Sequence, residues 1–134
     1  MRIVNLLGLT MFFYLGIRYN IYISFLIYIN GIIYHTNENN NLIKLYDLIS
    51  NILIALYLSY NCFDIIIYSL FTLTIYLINS FLYKKKYISR FLCDIIHVFG
   101  VMTPSCYSLY IYNNFNITQQ WFWQQQQQQQ QVNK

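Results

Sequence analysis

The sequence predicts an all-α fold, an integral membrane helical bundle of four to five transmembrane helices, on three observations. The 134 residues are 57% hydrophobic and 9% charged, whereas soluble domains carry about 25% charged residues. A soluble chain of this composition would lack the polar side chains to cover its surface. The apolar residues are gathered into long runs, and a helix crosses the ~30 Å hydrocarbon core of a bilayer with about 17–25 of them. Most of the charges stand between these runs rather than inside them. Strands are excluded by continuity, because a membrane barrel needs at least eight alternating segments of about ten residues. Ile, Tyr, Phe, Leu and Asn are abundant, as they would be in any AT-rich genome, so position and spacing carry more weight here than enrichment.

The first element covers residues 3–17. It follows Met1-Arg2 as a secretory signal would, but the small-residue cleavage pattern is missing. After Arg18-Tyr19-Asn20 the apolar run resumes from Ile21 to Tyr34. The two pieces read either as two short helices or as one long tilted helix. An Arg at the bilayer centre costs about 2.5–3.5 kcal/mol or more, which favours two.

Leu42 to Phe63 forms the next helix, with Lys44 and Asp47 near its start, and Asn61-Cys62-Phe63-Asp64 is a tight turn. Ile65 to Tyr83 carries no charge and is the strongest single span. A basic loop from Lys84 to Tyr87 leads into the last helix, Ile88 to Tyr112, which carries Arg90, Asp94 and His97 early. Gly100 and Pro104 predict a kink in its second half.

Residues 1–112 therefore make the transmembrane domain. Residues 113–134 form a low-complexity tail with Trp121-Phe122-Trp123 and a glutamine run from Gln124 to Gln131. Tryptophans beside a span suit lipid headgroups, and the glutamine run is expected to be disordered. Asn116-Ile117-Thr118 matches the glycosylation acceptor pattern but lies close to the helix end.

The net charge of +4 comes largely from Lys84-Lys85-Lys86 and Arg90. That patch is too small for a nucleic-acid surface, so no nucleic acid is expected as a partner. It serves instead as a topology signal. With five spans, Arg2, Lys44, Lys84, Lys85, Lys86 and Arg90 fall on one side, and only Arg18 and Lys134 on the other. The positive-inside rule then puts the triple-lysine loop in the cytoplasm and the C-terminal tail on the non-cytoplasmic side. Expected partners are the lipid bilayer, further copies of the chain or other membrane proteins. The three cysteines, Cys62, Cys93 and Cys106, show no C-x-x-C pair and no disulfide framework.

The connection from Tyr34 to Asn51 holds one of two histidines and two of four acids. His35 ends one helix, Asp47 and Asn51 share a face of the next, and Cys93 and His97, also four apart, share a face of the last. By helical rise Asp47 lies ~8 Å past Leu42, and His97 ~13 Å past Ile88. Three helices thus bring acid-base or metal-competent side chains to similar depth. Each also has a plainer use. His35 meets the last carbonyls of its helix, Asp47 complements a helix start or pairs with Lys44, and Asp94 pairs with Arg90 four residues earlier. His97 serves as a hydrogen-bonded histidine between helices, and the cysteines are small buried hydrophobes.

Tyr34-His35-Thr36, then Asp47, then Asp94-Ile95-Ile96-His97-Val98-Phe99 resembles the motif order of the CREST superfamily, which includes alkaline ceramidases and progestin/adipoQ receptors. Those are seven-helix membrane proteins in which a serine, histidines and an aspartate surround a zinc ion and its water, to cleave lipid amides. The resemblance implies zinc held by His35, Cys93 and His97, with a fourth position left for water. Asp47 would then hold or deprotonate the water and Asn51 would steady an oxyanion, as the catalytic pair. Cys93 stands where the family has a histidine, Gly31 where it has a serine, with Asn30 alongside to replace the serine's polar role, and there are fewer helices. No G-x-S-x-G, H-E-x-x-H or phosphate-binding glycine loop occurs. The expected function is a structural or interaction role in the membrane, with a zinc-dependent hydrolase of a lipid amide or ester as the alternative.

Overall fold

A computed structural model describes residues 3–37 and 39–132. Arg2 and Lys134, two of the charges that set the expected topology, and Glu38 of the polar connection lie outside the described residues. The fold is all-helical, with no strand among the described residues: α1 (Ile3–Tyr19), α2 (Tyr22–Thr36), α3 (Asn41–Asn61), α4 (Ile65–Lys84), α5 (Arg90–His97), a π-helical turn (Val98–Met102) and α6 (Thr103–Val132). The last three run on as one rod. Helices at Asn41–Asn61, Ile65–Lys84 and Arg90–Gln129 are long and apolar enough to cross a membrane, and Ile3–Tyr19 is a shorter apolar helix.

The N-terminal residues form two helices, as the position of Arg18 suggested. The chain reverses at Asn20, whose φ of 55° is left-handed, a conformation that asparagine tolerates better than most residues. The reversal makes an antiparallel hairpin, shown by its facing pairs: Asn5 with His35, Phe13 with Tyr28, and Phe12 with Ser24, whose hydroxyl donates to the Phe12 carbonyl. Asn40 caps α3 by accepting from the N–H groups of Leu42 (2.9 Å) and Ile43 (3.4 Å), which satisfies donors that the first helical turn leaves open. Ser89 caps α5 in the same way through Leu92 N–H.

The helices alternate up and down. Ser59 meets Ser69 across the α3/α4 turn, and Tyr76 meets His97 across α4 and the rod. The start of α1, the α2–α3 connection and the α4–α5 loop therefore share one end of the bundle. The core is made of Leu9 and Phe12 on α1, Leu58 on α3, Ile65 on α4, and Val98, Met102, Cys106 and Leu109 on the rod. Close approach is built in at Gly8, where an added methyl would run into Met102 and Val98. Buried polar residues include Asn5, Ser24, Asn30, His35, Asn79 and Asp94, while Leu7, Ile17, Leu53 and Ile67 point outward. Such a contiguous apolar exterior is foreign to soluble monomers and suits an integral membrane protein.

The expected kink is a π turn. Pro104 has no N–H, and its ring crowds the carbonyl four residues back at Gly100. The rod absorbs this with one extra residue, so the Thr103 N–H reaches the Val98 carbonyl five residues back, and the Thr103 hydroxyl donates to the same oxygen at 3.0 Å. Where the sequence suggested a disordered tail, helix continues through Val132. Glutamine is a good helix former, and a helix already nucleated extends at little cost. Trp121, Phe122 and Trp123 are exposed on this extension.

Candidate functional site

A cavity of about 720 Å³ lies inside the bundle, with walls from all five helical rods. Its two imidazoles, its carboxylate and its one amide gather at the end shared by the α2–α3 and α4–α5 connections. His35 from the last turn of α2, Asp47 and Asn51 from the second and third turns of α3, Tyr76 from α4 and His97 from the end of α5 all line it. Asp47 and Asn51, four residues apart, lie side by side on one face of α3. The His35 and His97 rings meet edge to face at 6.1 Å, and Tyr76 meets His97 at 6.3 Å.

Away from that end the walls are mostly apolar, with Leu9, Phe12, Leu58, Ile66, Met102 and Leu109 among them, and the serine hydroxyls there are paired: Ser59 with Ser69, and Ser105 and Ser108 with carbonyls of their own helix. From Asp47 to Tyr60, both in the wall, the cavity follows α3 for ~20 Å. Leu56, Tyr60 and Leu70 line it and are nonetheless 62%, 91% and 61% exposed. The cavity thus opens between α3 and α4, onto the surface that a bilayer would cover. The Thr72 hydroxyl, one turn from Tyr76 in the wall, is buried with no hydrogen-bond partner.

A residue that sequence reasoning passed over stands behind His35. Asn5, 1% exposed on α1, places its side-chain Nδ2 3.3 Å from His35 Nδ1, and donates to Asp94 Oδ1 at 3.4 Å. His35 and Asp94 are themselves 5% and 4% exposed. Asn5 stood inside an apolar run in an asparagine-rich chain. Its one available signal was that a buried amide among Leu and Val needs a partner.

His35, Asp47, Asn51 and His97 thus share one cavity, and Cys93 and Asp94 are outside its wall. Cys93 and His97 share a helix face, but Cys93 lies one turn, ~6 Å, nearer the helix start. There its carbonyl accepts from Asn79 Nδ2 at 2.9 Å. Asn30 is absent from the wall too, and ties α2 to α3 by donating to Ser50 Oγ at 2.8 Å and accepting from Tyr46 at 3.4 Å. Zinc requires at least three donors at about 2.0–2.3 Å. Among the described residues no group of three His, Cys, Asp or Glu side chains could hold a metal ion. Asn5 also stands against His35 Nδ1. As arranged here, His35, Cys93 and His97 do not fit a zinc centre.

The fold and this cavity define a class, an integral membrane helical bundle with a polar-ended internal chamber. Compared with known proteins, the chain matches no family model, no curated protein and no solved structure.

Proposed function

We propose that the protein takes a single-chain amphiphile from the bilayer and holds it in the bundle, head at the His35, Asp47 and His97 end and chain along the apolar walls. The observation that carries this reading is the segregated cavity. Ligand sites are typically 300–1,000 Å³, mainly apolar, with a few convergent polar groups that set orientation. A volume of about 720 Å³, mainly apolar in its lining, with both histidines, the carboxylate of Asp47 and the amide of Asn51 at one end and only hydroxyls elsewhere, has that character. The opening between α3 and α4 gives a chain sideways access without crossing water. The positive-inside rule adds an orientation, with the Lys84-Lys85-Lys86 loop cytoplasmic and the tail on the other side.

The test is native mass spectrometry of protein taken from nanodiscs doped with monopalmitoylglycerol. The parent retains one chain, and Ala55→Trp, which drives an indole into the wall, loses it. A parent that retains none, or a variant that retains as much, ends the proposal.

The resemblance to the CREST superfamily supplies a second reading, a lipid hydrolase, favoured by one observation: His35, Asp47 and His97 line the same cavity. It requires zinc, which the donors as arranged do not gather. Zinc measured per chain in the same samples, in parent and His97→Ala, separates the readings. Stoichiometric metal lost in the variant favours the hydrolase, and metal-free parent removes it.

A further inference from the structure

We propose that Asn5, oriented by Asp94, is a positioning residue that fixes His35 in the tautomer protonated at Nε2, so that His35 serves the chamber as a hydrogen-bond donor to an oxygen of the bound head group. This rests on the amphiphile-binding reading above for its ligand, though not for the tautomer itself. An amide NH₂ only donates, and a carboxylate only accepts. The contact to Asp94 Oδ1 at 3.4 Å therefore requires the Asn5 nitrogen, not its oxygen, on that side. The same nitrogen lies 3.3 Å from His35 Nδ1 and directs its second hydrogen there. Nδ1 must then accept, and a neutral imidazole with an accepting Nδ1 carries its proton on Nε2.

Three residues from three helices make this relay, all at most 5% exposed. In so dry a setting, a reversed amide would face the Asp94 carboxylate with its own oxygen, two acceptors with no proton between them. The relay also explains the misfit with zinc. A histidine binds metal through a bare ring nitrogen; here one nitrogen accepts from Asn5 and the other carries a proton. Among the described residues the lining includes no Lys or Arg, so a neutral oxygen such as a glycerol hydroxyl or ester suits the head group better than a phosphate.

The chain has two histidines, so ¹⁵N-histidine spectra of the full-length protein in nanodiscs are simple, and His97→Gln assigns them. They are recorded at about pH 8.5, two units above the ordinary histidine pKa. In the parent, His35 shows a bare Nδ1 and a protonated Nε2. Asn5→Asp combined with Asp94→Asn, which turns an accepting oxygen to the ring and keeps a donor opposite it, moves the proton to Nδ1, and Asn5→Ala gives a mixture. A parent with Nδ1 protonated overturns the inference with no variant needed, as do Asn5 variants that fold and leave the spectrum unchanged.

Monopalmitoylglycerol binding then falls about tenfold in the double variant Asn5→Asp with Asp94→Asn, one hydrogen bond's worth, and hexadecyl phosphate binds the parent more weakly than the glycerol ester. Equal or tighter phosphate binding overturns the head-group assignment. If the tautomer is as stated and no probe binds the parent, the amphiphile reading and the donor role fall together, while the Asn5 relay stands.

Discussion

Single residues in strained backbone show what this sequence trades for charge. At the end of α4 the Lys86 N–H bonds the Tyr83 carbonyl and the Tyr87 N–H the Leu82 carbonyl, both at 3.0 Å. That is a Schellman closure, in which the residue at Lys86 must be left-handed, and its φ is 59°. Glycine takes this position freely, whereas a lysine costs ~1 kcal/mol there. Lys86→Gly is expected to stabilise the protein by about that amount, read as a higher unfolding midpoint in detergent. An unchanged or lower midpoint contradicts the assignment. Retaining lysine at a position made for glycine is reasonable if its charge helps to orient the loop in the membrane.

Among the elements, the rod is the most constrained. Gly100 sits in its π turn, where an added Cβ would come within 2.6 Å of Ile75 Cγ2 on α4. Gly100→Ala should cost about 1–3 kcal/mol through overpacking of a β-branched neighbour that has few rotamers. The measurement is the same detergent unfolding, and a neutral result would mean that α4 can draw back. Most elements were legible in the sequence because apolar runs and their polar interruptions map directly onto helices and turns. Arg18-Tyr19-Asn20 marked one reversal, and Asn61 to Asp64 another. The π turn was legible only as a kink at Gly100 and Pro104, since proline dictates a fault in the ladder without dictating how it is repaired. The tail's helix was missed because a glutamine run has no hydrophobic period to read. Within the chamber, His35, Asp47 and His97 could be grouped from up-and-down alternation alone. Asn5 could not, because its role depends on α1 lying beside α5, a lateral neighbour relation that periodicity does not encode.

For the whole molecule, alternating helices put Lys44, Lys84 to Lys86 and Arg90 at one end and Arg18 at the other. Single cysteines introduced at Asn39 and at Gln119, in a background lacking the native three, are expected to label from opposite sides of a sealed membrane. Labelling from the same side would break the five-span arrangement. The rod also reaches beyond what a bilayer requires. Arg90 to Gln129 is 40 residues, ~60 Å of helix against ~30 Å of hydrocarbon. One wall of the chamber is therefore continuous with a helix that ends well beyond it. Trp121 stands ~36 Å along the helix from His97, so a tilt of ~5° at the chamber would carry it ~3 Å. Occupancy inside the bundle would then be felt as displacement at its far tip.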